Sequence, residues 1–159
     1  MPEDDRKIRD LYPVIRTLVV DDYEPFRRLV CSMLGRMPEL QLVGEASDGL
    51  EAVCKAQELK PDLILLDIGL PKLNGIEAEH QLCELVPSAK VLFLTQLTNT
   101  DIVRAALSNG AQGYVLKFDA ARELLPAIKA ILRGEKFVSS GIRRADSKTQ
   151  SRDSTRLSL

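Results

Sequence analysis

Two periodicities take turns along residues 14–133. VIRTLVV (14–20) is short and β-branched and closes on an unbroken apolar run, as a strand covered on both faces would. EPFRRLVCSMLGRM (24–37) then sets Phe26, Leu29, Val30, Met33, Leu34 and Met37 at helical spacing, with Pro25 in the first turn, where its missing N–H costs nothing. LQLVGEA (40–46) reads as a second strand. Asp48 is placed to cap a helix over 49–59 whose stripe is Leu50, Val53 and Ala56, and Pro61 closes it. DLILLD (62–67) is the most continuous apolar strand. A helix over 75–86 follows, with Ile76, Leu82, Leu85 and Val86 as its pattern and Pro87 as its end. AKVLFLT (89–95) is the fourth strand, 99–109 a helix ending at Asn109-Gly110, and QGYVLK (112–117) the fifth strand. Residues 119–133 carry Ala121, Leu124, Leu125, Ile128, Ile131 and Leu132 on one face, with Gly134 as the stop.

Five strand–helix units with solid apolar strands predict an α/β fold, a doubly wound parallel sheet with helices on both faces, in a single domain over 14–140. Residues 1–13 read as an N-terminal extension. Residues 141–159 are polar and Ser/Thr/Arg-rich, and are expected to be a disordered tail or linker stub. The basic residues there, Arg143, Arg144, Lys148, Arg152 and Arg156, face Asp146 and Asp153 in the same stretch and read as a solvated end. With 45% hydrophobic and 28% charged residues the chain can bury a core. Its net charge of -1 points to neither nucleic acid nor an anionic membrane. No signal peptide and no membrane-length apolar run is visible, which predicts a cytoplasmic protein with no membrane partner. Cys31, Cys54 and Cys83 have no metal-ligand spacing and fall on helices, so buried or half-buried thiols are expected. His80, between Glu79 and Gln81, reads as a solvent-facing helical histidine.

The chemistry gathers at the C-terminal ends of the strands. Asp21 and Asp22 end the first, Asp67 the third, Thr95 the fourth and Lys117 the fifth. One acid at a strand end is ordinarily a cap or a loop acid. Together, these residues meet in the crevice where open α/β sheets bind ligands. Clustered acids raise one another's pKa unless a cation neutralises them. Mg²⁺ suits such a site, being oxygen-seeking and content with one or two carboxylates plus water and phosphate oxygens. An ionised Asp67 can then attack phosphorus, with Lys117 spreading positive charge over the phosphoryl oxygens and Thr95 donating a hydrogen bond.

VVDDYEPFR, LLDIGLPKLNGIEA, LFLT and GYVLK resemble the receiver domain of bacterial two-component response regulators, the CheY-like, flavodoxin-like (βα)5 fold. The resemblance, rather than the periodicity, implies the strand order 2-1-3-4-5. The ending GYVLKFDAARELLPAIKAILRGEKFVS is most similar to the NarL/FixJ subfamily, whose receivers usually precede a DNA-binding helix-turn-helix. The resemblance implies that Asp67 is the phosphoacceptor, that Asp22 touches Mg²⁺ directly and Asp21 through water, and that the Gly69 carbonyl is a further ligand. It makes Thr95 and Tyr114 the switch residues, Lys117 the phosphate-pairing lysine, and Pro71 and Gly75 the turn after the acceptor. It implies a partner histidine kinase or phosphotransfer protein, and a homodimer as one form the phosphorylated chain could take. The chain is then a phosphoacceptor switch and not an enzyme, although it promotes its own phosphorylation and dephosphorylation. DNA binding would need a domain absent from this chain.

Several positions depart from the family pattern. Gln96 stands where a small residue usually follows the switch hydroxyl, and Phe118 where many receivers have a cis-proline. Gly69 and Leu97 offer no polar side chain to orient an attacking water, which predicts a long-lived aspartyl phosphate. The alternative, an Mg²⁺-dependent phosphohydrolase with an aspartyl nucleophile, would want a second acid two residues after Asp67, where Gly69 stands. Flavin or nucleotide binding on the same fold would want a Gly/Ser/Thr-rich loop where DDYEPF stands.

Overall fold

In a computed structural model of the chain, which describes residues 13–142, the alternation becomes a six-stranded, all-parallel sheet. The elements in order are β1 (Ile15–Val20), α1 (Glu24–Leu34), β2 (Leu40–Ala46), α2 (Gly49–Leu59), β3 (Leu63–Leu66), α3 (Gly75–Leu85), β4 (Lys90–Thr95), α4 (Thr100–Ser108), β5 (Gly113–Leu116), α5 (Ala120–Leu132) and β6 (Phe137–Val138). A short 3₁₀ turn, Lys117–Asp119, joins β5 to α5. The sheet order is β2-β1-β3-β4-β5-β6. The flavodoxin-like, doubly wound sheet expected from the sequence is therefore present in a single domain, extended by one strand.

Each strand splits its side chains between two cores, because successive residues point to opposite faces. Leu18, Val20, Ile64, Leu66, Phe93 and Tyr114 pack with α2, α3 and α4. Val19, Leu63, Leu65, Leu92, Leu94 and Val115 pack with α1 and α5. Leu63 to Leu66 are each at most 1% exposed. Burial of each such side chain stabilises by roughly 1.5–3 kcal/mol, so β3 is firmly held, and Asp67 follows it directly.

The helix ends follow their sequence signals. Asp48 caps α2 by accepting a hydrogen bond from Glu51 N, and Asn74 and Asn99 cap α3 and α4 in the same way. Gly110 and Gly134 hold the left-handed φ values (113° and 85°) that follow α4 and α5.

Several expectations change. β6 was not expected, since two residues are too few to show a period. Leu29, Leu50 and Leu85, counted in helical stripes, are exposed because they lie at the edges of those stripes. Cys54 and Cys83 are exposed rather than buried, and only Cys31 is half-buried. Ile142, assigned to the polar tail, is buried in the core on the α2–α4 face. Residues 1–12 of the extension and 143–159 of the tail lie outside the described residues.

Candidate functional site

Backbone pairing brings the acids together. Val20 pairs with Leu66, and where that ladder ends Asp67 N donates to Val20 O (3.1 Å) while Asp21 N donates to Ala46 O (3.0 Å). Asp21 and Asp67 thus leave adjacent strands side by side. Thr95 pairs with Leu116, which places Lys117 one residue beyond on the neighbouring strand. The Lys117 ammonium closes the set. Its Nζ lies 2.8 Å from Asp21 Oδ2 and 2.9 Å from Asp67 Oδ2.

Asp21, Asp67 and Thr95 are buried, and Asp22 and Gly69 are exposed at the rim. Asp22, Asp67, Gly69, Thr95 and Lys117 line one cleft of about 460 Å³, together with Tyr23, Phe26, Gln96 and Leu97. Burial pushes the Asp21 carboxyl above its usual value, against the hydrogen bond from Lys117. Burial also works against the charge on Lys117, but its hydrogen bonds to Asp21 and Asp67 outweigh it and raise the pKa of the ammonium. One oxygen from each of Asp21, Asp22 and Asp67 lies within 4.8 Å of the others. Three hard oxygen donors around one cleft fit a small divalent cation such as Mg²⁺.

Two glycines let the loops close around Asp67. A Cβ on Gly75 would sit 2.0 Å from the carbonyl oxygen of Asp67, so only glycine lets the start of α3 lie against the Asp67 backbone. Gly75 N also donates to Ile68 O (2.8 Å). A Cβ on Gly49 would meet Leu73 O at 1.9 Å, which seats α2 against the same loop. By contrast, a Cβ on Gly69 would meet nothing within 4 Å, so nothing steric requires glycine there.

Thr95 and Tyr114 meet through Leu97. Leu97 N donates to Thr95 Oγ1 (3.4 Å), and the Tyr114 hydroxyl donates to Leu97 O (2.8 Å). Tyr114 is fully buried, and its ring lies 6.2 Å from that of Phe93. Tyr114 is thus a core residue whose hydroxyl also reaches the segment that follows Thr95.

Other residues reach the site that the motifs did not single out. Arg27 donates from Nη1 to Asp21 O (2.7 Å) and from Nε to Glu45 Oε1 (3.0 Å), bracing the acid pair against β2. Phe26 lies under Lys117, with Nζ 4.8 Å from the ring centroid. A usable signal existed, since both stand in the first turn of the helix that begins at the acid pair. His80, exposed on α3, lines a separate groove with Leu73 and Asn109 and stays apart from the cleft. Phe118 is 69% exposed, and no peptide bond is cis among the described residues.

A family model described as the response regulator receiver domain matches residues 17–129. The chain belongs to the response regulator receiver family. Among curated relatives, it is 38% identical over 129 residues to the transcriptional regulatory protein LiaR of Bacillus subtilis, covering 81% of this chain and 61% of LiaR. It is 40% identical over 121 residues to the response regulator protein VraR of Staphylococcus aureus, covering 76% of this chain and 58% of VraR. The receiver thus spans about three fifths of the length of these relatives. A solved LuxR-family two-component response regulator from Aurantimonas sp. SI85-9A1 superposes with a TM-score of 0.81 at 31% identity, over 87% of this receiver and 99% of that chain. Receivers are signalling switches, and the NarL/FixJ resemblance expected from the chain's ending agrees with these relatives, one of them a LuxR-family regulator. No helix among the receiver's described residues is long and apolar enough to cross a membrane.

Proposed function

We propose that this receiver is phosphorylated on Asp67. The observation that carries the reading is the Lys117 ammonium bridging Asp21 and Asp67 inside a cleft that Thr95 also lines. A carboxylate oxygen of Asp67 forms the new O–P bond as the donor's bond to phosphorus breaks. With a phosphohistidine donor the leaving group is imidazole, and with an acyl phosphate it is a carboxylate. Lys117 moves its hydrogen bond from Asp67 to a phosphoryl oxygen, and the Thr95 hydroxyl donates to another. Asp21, Asp22, Asp67 and the Gly69 carbonyl would hold Mg²⁺, which when bound supplies charge to keep the acids ionised and to offset the phosphoryl oxygens.

The donor is a histidine kinase or phosphotransfer protein. Drawing Thr95 toward Asp67 pulls on Leu97 and hence on the Tyr114 hydroxyl, so the two states differ in a segment that a partner, including a second copy, can read. A transcriptional output, the role stated in the name of LiaR, is the kind of readout proposed for this switch. The aspartyl phosphate is long-lived, because Gly69 and Leu97 orient no water.

Incubation with Mg²⁺ and a small acyl phosphate, followed by intact mass measurement, is expected to show one added phosphoryl group. Asp67→Ala is expected to abolish it, and uptake by that variant at the original rate would overturn the assignment.

A further inference from the structure

We propose that Phe26 is a positioning residue for phosphoryl uptake, its ring face holding the Lys117 ammonium over the acid cluster. This rests on the reading of Asp67 and Lys117 given above. Lys117 Nζ lies 4.8 Å from the Phe26 ring centroid while bonding Asp21 at 2.8 Å and Asp67 at 2.9 Å. An ammonium has three N–H donors, and the two carboxylates take two of them. The ring covers a further side, within the ~6 Å over which an aromatic quadrupole attracts a cation.

Phe26 is suited to this by its place in the chain. It stands in the first turn of α1, five residues after Asp21, and lines the same cleft as Asp67. It is half-buried, with part of its surface packed on the core between α1 and α5. That packing fixes the ring, and the ring in turn restrains a lysine on a flexible four-carbon stem. The restraint matters at the moment of transfer. Lys117 must exchange a bond to Asp67 for one to the incoming phosphoryl group without swinging out into water. A ring face attracts the cation yet competes poorly for its N–H donors, so it holds the ammonium without occupying the donor that the phosphoryl oxygen needs.

A ring that merely filled space would act through shape alone, and a fluorination series separates the two. Mono-, di- and trifluorophenylalanine placed specifically at position 26 weaken the ring's attraction for a cation while nearly preserving its size. The rate of phosphoryl uptake from a small acyl phosphate at saturating Mg²⁺ is expected to fall stepwise along the series. Phe26→Leu is expected to be roughly two- to tenfold slower and Phe26→Trp to keep the rate. Thermal midpoints should stay level across the fluorinated series. In the free protein, the ε-methylene protons of Lys117 are expected upfield of those of the other lysines, with the shift lost in Phe26→Leu. A flat fluorination series with a labelled wild type would overturn this inference alone, as would an unshifted Lys117. A wild type that takes up no phosphoryl group would remove the phosphoacceptor reading itself.

Discussion

Glu79 on α3 is buried at 2% exposure, and its Oε2 finds no hydrogen-bond partner among the described residues. Burial raises its carboxyl from 4.5 to about 7, with the charge of His80 pulling the other way. Between those two values the folded chain keeps a proton that the unfolded chain has lost, so stability falls as pH rises through that window and levels off above it. The loss is on the order of 3 kcal/mol. Glu79→Gln should remove most of the slope, read as the difference between urea-unfolding free energies at pH 5 and pH 8. Arg27 makes a different prediction, because it touches a carbonyl and not a reacting atom. Arg27→Ala should weaken Mg²⁺ binding by roughly three- to tenfold, since one charge-assisted bond no longer braces the Asp21 backbone. A Mg²⁺ titration measures it. At Gly69 the open space where a Cβ would point leaves room for a larger side chain. Gly69→Glu should shorten the aspartyl-phosphate half-life by at least about tenfold by placing a proton acceptor beside the phosphoryl group. Decay followed by intact mass checks this, and a half-life of seconds in the wild type would refute the long-lived state.

The helix starts carry their own predictions. Gly75→Ala forces the first turn of α3 away from the carbonyl of Asp67, and overpacking of this kind costs about 2 kcal/mol. It should lower both urea stability and the rate of phosphoryl uptake, whereas a purely helical effect of alanine would raise stability. The start of α5 is tied down differently. Ser139 Oγ lies 2.7 Å from Asp119 Oδ2 and 2.6 Å from Glu123 Oε2, and Arg122 reaches the other oxygen of Asp119. The hydroxyls of Ser139 and Ser140 overcome the cost of burial and hold Glu123 below the usual carboxylate range. Ser139→Ala leaves buried Asp119 short of a partner and should cost about 1–3 kcal/mol in urea unfolding.

For the molecule as a whole, the strands and the convergence at their ends were legible because β3 is apolar throughout, β1 and β4 carry apolar runs, and a polar residue closes each run. Asp67, Asp21 and Lys117 could be named from order along the chain alone. What escaped notice were contacts whose partners are distant in sequence and carry no period of their own. Ser139 with Asp119 and Phe26 with Lys117 are of this kind, as is the two-residue β6. Helical spacing likewise marked Leu29 and Leu50 as core, because a period gives the direction of a face but not its width.

The junction at β6 also has a mechanical side. Phe137 N donates to Gln112 O and Ser139 N to Tyr114 O, in a parallel pairing whose bonds would share a load applied along the strand. Anything tethered beyond residue 142 and pulling on the receiver would draw first on buried Ile142 and then, through its bond to Ser139 O, on the stretch around Ser139. That stretch is anchored to Tyr114 and Asp119, on either side of Lys117. Tension at the exit would therefore arrive within a few residues of Lys117, at the edge of the cleft that holds Asp67.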